Sequence, residues 1–242
     1  MSENRYDEFR TTHWSVIVSS REQDSDVRQK SLGELCETYW YPLFAYLRRN
    51  GHSPEETADY VQGFFVELID KDFLEAVSPE KGHFRWFLMS AIKRFVSKQI
   101  EKQSAQKRGG NRQLFSLNMD DAEQRYQMEP VDGWSAEKLF DRRWAMTVLQ
   151  QALDQLRSEQ EKNGKLELYL ELQPTLSGVS RTTEQYTAIG GRLGMLAGAV
   201  KVAAMRLRQK YRDAIRDIVS QTVVGLDDVS DELDELYSAL RP

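Results

Sequence analysis

Cysteine is nearly absent. Cys36 is the only one in 242 residues, which excludes an intramolecular disulfide and any multi-cysteine zinc site. Histidine is almost as scarce: His13, His52 and His83 stand far apart and lack metal-ligand spacing. No run approaches the roughly 18 apolar residues that a membrane span needs, and the amino-terminal MSENRYDEFR has no apolar signal core. The expectation is a cytoplasmic protein with no membrane partner. Strand signals are few, Trp14–Val18 being the one short β-like run, and no repeat of about 20–50 residues is visible. Catalytic constellations are missing too. Cys36 lies on an apolar helical face without an identifiable base. Gly190, Gly191, Gly194 and Gly198 have neither a preceding strand nor a phosphate-loop spacing. No enzymatic activity, cofactor or metal is expected.

What the chain does have is unevenly placed charge. The total is −5, yet residues 81–112 carry a net +8 and residues 192–216 a net +6, leaving −19 elsewhere. Two basic islands in an acidic background suggest two contacts with a polyanion. Apolar spacing is helical nearly throughout. It predicts helices at about 27–49, 54–70, 83–103, 135–160, 164–171, 183–193 and 197–219, with an acidic one near 228–240. The fold class is all-α. Pro42 should kink or break the first helix. Ser53-Pro54-Glu55-Glu56 and Ser135 read as helix starts.

The second island resolves into a helix-turn-helix pattern. A short helix, Tyr186–Leu193, ends at Gly194, a residue suited to a left-handed turn. A longer one from about Ala197 carries Val200, Ala204, Leu207, Tyr211, Ala214 and Ile218 on one face, and Lys201, Met205, Arg208 and Arg212 on another. One face packs and one is cationic, as in a helix that enters DNA, although a solvated core helix has the same pattern. In the first island Phe84, Trp86, Phe87 and Phe95 interleave with Arg85, Lys93, Arg94, Lys98 and Lys102. Rings beside cations suit single-stranded nucleic acid, in which bases stack and phosphates meet Lys or Arg; core aromatics beside surface charge are the alternative. Between the islands, residues 105–134 have no steady period and read as a linker.

These pieces together resemble an extracytoplasmic-function (ECF) sigma factor of the long-tailed subgroup. The resemblance rests on YWYPLFAYLRRNGHSPEETADYVQGFF, GHFRWFLMSAIKRF, KRGGN, LFDRRWAMTVL and LGMLAGAVKVAAMRLRQKYR, in that order from about Thr12 to Ile218. It implies a region-2-like helical domain (1–104), the linker, a region-4-like helix-turn-helix domain (135–220) and an acidic tail (221–242). It also implies two partners, RNA polymerase core and promoter DNA, and leaves room for an anti-sigma factor or other regulator. Asp59, Gln62, Phe65, Glu67 and Leu68 would dock on the polymerase. Arg85, Trp86, Lys93, Arg94, Lys98 and Lys102 would open and read the −10 element. Lys201, Val202, Met205, Arg206, Arg208 and Arg212 would meet the −35 element.

Three departures stand out from the resemblance. Leu196 occupies the place of a capping Ser or Thr, Gly190 and Gly191 interrupt the supporting helix, and Met205 replaces a common polar residue. Each glycine in a helix interior is expected to cost roughly 1 kcal/mol relative to alanine. Two other readings remain open: a helix-turn-helix regulator that never touches polymerase, and a helical protein-interaction module. The tail, with Leu226, Val229, Leu233, Leu236 and Leu240 at helical steps, is expected either to pack on the region-4-like domain or to cover its basic helix.

Overall fold

The computed structural model describes residues 25–69, 84–105, 119–129, 133–223 and 226–241. Trp14–Val18, His13, Asp70 and His83 lie outside them. The regular elements described are helical: α1 (Ser25–Arg49), α2 (Pro54–Ile69), α3 (Phe84–Ala105), α4 (Met119–Gln127), α5 (Ala136–Lys162), α6 (Leu166–Leu172), α7 (Thr183–Leu193), α8 (Ala197–Ser220) and α9 (Leu226–Ala239). A single 3-10 turn, Gln173–Thr175, follows α6. α1 runs through Pro42 without breaking. The expected starts hold: Ser53 and Glu56 exchange side-chain and backbone hydrogen bonds ahead of α2, and Ser135 Oγ accepts from Lys138 N at the head of α5.

The chain divides into two compact units. One comprises residues up to Met146 together with Ser220 onward; the other is Thr147–Val219. The division falls inside α5, and the tail belongs to the first unit. The expected boundaries at 135 and 221 put the start of α5 in the other domain.

In the first unit the apolar faces of α1, α2 and α3 bury Tyr39, Leu43, Phe64, Phe65, Leu68, Phe84, Leu88 and Phe95. Tyr39 meets Phe84 edge-on, and Phe64 meets Phe95 likewise, with centroids 5.2 and 5.8 Å apart. Leu139, Phe140 and Trp144 from α5, and Val229, Leu233 and Leu236 from α9, complete the buried set. The expected linker contains α4, which is fastened to α1. Arg48 grips Glu123 through two nitrogens at 2.8 Å and lies over the Tyr126 ring, while Tyr41 donates to the buried Glu129 at 3.0 Å. Nine residues of mixed polarity give little period to read, so these long-range pairs decide the helix.

The second unit buries Leu156, Tyr169, Leu172, Tyr186, Ile189, Val200, Ala204 and Leu207. Its α7 starts with a full capping box: Thr182 accepts from Gln185 N and Gln185 accepts from Thr182 N. Thr182→Ala is expected to cost this unit about 1 kcal/mol, read as a lower urea midpoint with an unchanged slope.

Candidate nucleic-acid interface

Helix α3 presents two different faces. Phe84, Leu88, Ile92 and Phe95 are buried, whereas Trp86 is 50% exposed and shares the outer face with the exposed Lys93, Arg94 and Lys98. Trp86 and Lys93 are seven residues apart and Arg94 and Lys98 four, so each pair shares a side of the 3.6-residue helix. Lys93 Nζ lies 3.0 Å from Glu137, and Lys98 Nζ lies 3.6 Å from Glu67. Hydrogen bonding to Glu137 holds the Lys93 ammonium above its ordinary value. Both pairs are exposed, and such pairs contribute only about 0–1 kcal/mol, so phosphate can exchange for either carboxylate. Lys102 is exposed in the last turn of α3.

Arg85 has a different environment from the one expected of a DNA contact. It is 3% exposed and enclosed by carboxylates. Its Nε and Nη2 each reach Glu232 at 3.2 Å, Nη2 reaches Glu235 at 3.3 Å, and Nη1 pairs with Asp141. The guanidinium also stacks on Trp144, 4.7 Å from the ring centre. Burial by itself would lower the Arg85 pKa, but the Glu232 hydrogen bonds and charge outweigh it and hold the group charged. Burial pushes the Asp141 carboxyl up against the pull of Arg85. Sequence reading placed Arg85 with its cationic neighbours because its partners lie 56 and about 150 residues away.

The face assigned to polymerase docking is smaller than expected. Asp59 is exposed on α2, and Glu67 is partly exposed beside Lys98. Gln62, Phe65 and Leu68 are 8%, 2% and 0% exposed, so they pack inside the unit instead of presenting a surface. A polar Gln62 between apolar neighbours read as an outer residue; burial overrides that reading.

In the second unit, α7 and α8 are joined by a tight turn. Gly194 takes the left-handed conformation at φ 65°, and Met195 N donates to Gly190 O at 2.8 Å. Helix α8 buries Val200, Ala204, Leu207 and Ile215 and turns Lys201, Val202, Met205, Arg206 and Arg212 outward. Lys201 Nζ donates to Thr183 Oγ1 at 3.1 Å, while the half-buried Arg208 donates to the Tyr186 hydroxyl at 3.4 Å. Arg208 is therefore partly engaged in holding α8 to α7. Leu196, just ahead of α8, has no capping side chain and is 82% exposed. Val202 and Arg206 also line a groove of about 560 Å³ that α8 shares with α6 and the end of α5, whereas Met205 lies outside it.

Among the described residues no cluster of His, Cys, Asp or Glu is arranged to hold a metal ion, and no single helix is long and apolar enough to cross a membrane. Cys36 is buried, and burial pushes its thiol pKa far up. Residues 43–217 match the family model described as ECF sigma factor, a span that runs through both units. No curated protein matches the chain, and no solved structure does.

Proposed function

The chain belongs to the ECF sigma factor family of RNA-polymerase-binding transcription initiation factors, and from that premise we propose how its residues divide the work. The first unit docks on polymerase core through the α2 face that carries Asp59 and Glu67. The α3 face with Trp86, Lys93, Arg94, Lys98 and Lys102 meets the −10 strand as it opens, Trp86 offering a ring for a base and the cations meeting phosphates. The α8 face with Lys201, Val202, Met205, Arg206 and Arg212 enters the major groove at the −35 element. Arg208 contributes charge from its place beside Tyr186. Arg85, Gln62, Phe65 and Leu68 support these surfaces from within. The tail helix α9, beyond the matched residues, supports membership of the long-tailed subgroup, and the site of action is the cytoplasm.

The observation that carries this reading is that one family match spans two separate cationic faces, one beside an exposed ring and one on the second helix of a helix-turn-helix. Asp59→Lys is expected to reduce co-purification with RNA polymerase core at least about tenfold, a change of about 1.4 kcal/mol, with folding intact because Asp59 is exposed. Unchanged co-purification would favour a DNA-binding regulator that works without polymerase.

A further inference from the structure

The second unit exposes something a purely electrostatic DNA helix does not need. On α8, Met205 is 63% and Val202 43% exposed, and the two lie one turn apart, with Val202 also lining the groove beside α6. Exposed Lys201, Arg206 and Arg212 surround them. Large apolar side chains held in water cost free energy unless an apolar partner covers them, and the cations around these two select a polyanion as that partner. The first turn, Ala197-Gly198-Ala199, is small, and space around Gly198 is open, so the helix start can approach a groove floor closely.

Duplex DNA offers one apolar group in its major groove, the 5-methyl of thymine. We propose that Met205 and Val202 are specificity-determining residues that read thymine methyl groups, so that this chain selects A·T pairs at the positions facing them by apolar contact. This rests on the assignment of α8 as the DNA helix. Two features of the sequence then acquire a role. Methionine is unbranched and adaptable, and can follow a methyl whose position varies with local DNA shape. Its missing hydrogen-bond donor is a loss only for a helix that reads base edges by polar contact.

The test uses the full chain and two duplexes of equal length, one of alternating dA and dT, the other with every thymine replaced by uracil. The replacement removes the methyl and leaves every hydrogen-bonding group in place. Wild type is expected to bind the thymine duplex at least about fourfold more tightly, the equivalent of one buried methyl. Met205→Ala, and Met205→Ala with Val202→Ala, are expected to bring the ratio close to one with little change for the uracil duplex, while Met205→Leu retains it. Alternating dG and 5-methyl-dC should likewise be preferred over its unmethylated form. A wild-type ratio near one, or a ratio that the alanine variants leave unchanged, overturns the proposal. Arg212→Ala separates the two layers. It should weaken both duplexes equally and reduce the salt slope by about one. If Arg212→Ala changes neither duplex, α8 is not the DNA helix, and the underlying assignment fails with the proposal.

Discussion

Replacing Glu232 by alanine should destabilise the first unit by about 3–5 kcal/mol, the range for stranding a buried charge. Glu232 is fully buried and holds two nitrogens of Arg85, itself nearly buried between the carboxylates and the Trp144 ring. Without Glu232, Arg85 keeps Asp141 and the half-exposed Glu235, neither of which replaces a two-point grip inside the unit. Domains have only about 5–15 kcal/mol to lose, so a poorly soluble variant is a foreseeable result. Glu235→Ala provides the internal comparison. That carboxylate is 50% exposed, and its removal should cost no more than about 1 kcal/mol. Equal midpoints for the two variants in urea denaturation would contradict this account of the cluster. The consequence reaches function. α3 carries both Arg85 and the exposed Trp86, so the tail helix α9 fastens, through Glu232, the helix proposed to open DNA. Deletion of residues 224–242 should therefore act as a folding lesion in the first unit rather than release a cover from α8.

Gly190→Ala and Gly191→Ala should shift stability in opposite directions although the residues are adjacent. A Cβ on Gly190 would stand 2.4 Å from the Met195 carbonyl oxygen, and that carbonyl belongs to the turn that Gly190 O itself anchors. Backbone must move to admit it, at a cost of about 1–3 kcal/mol, and the angle between α7 and α8 moves with it. Around Gly191 nothing lies within 4 Å, so alanine there simply improves a helix interior by up to about 1 kcal/mol. Duplex DNA binding should fall with Gly190→Ala and stay unchanged with Gly191→Ala. Urea denaturation of both variants, followed by a duplex titration, checks the pair; two changes of the same sign would refute the close-approach argument.

Those glycines show where sequence reading reached its limit. Both counted as defects, because intrinsic propensity is local and takes no account of a carbonyl five residues ahead. Helix positions for α1, α2, α3, α5, α7 and α8 were legible to within two residues, since their apolar spacing is sustained over three turns or more. α4 was not legible: its order comes from Arg48 and Tyr41, more than 70 residues upstream. Thr182-Thr183-Glu184-Gln185, at the head of α7, is the opposite case, a capping box written in four consecutive letters. The α8 face was readable from steps of three and four. Arg85 was misjudged because a cation among cations looks solvated until a distant tail supplies Glu232.

On the proposed reading, this chain gives polymerase core its promoter. Run-off transcription with purified core polymerase, over genomic fragments, tests it most directly. Discrete transcripts that require the protein are expected, absent with Asp59→Lys and weaker with Arg212→Ala. Binding of the protein to the same fragments without any dependent transcript would contradict it.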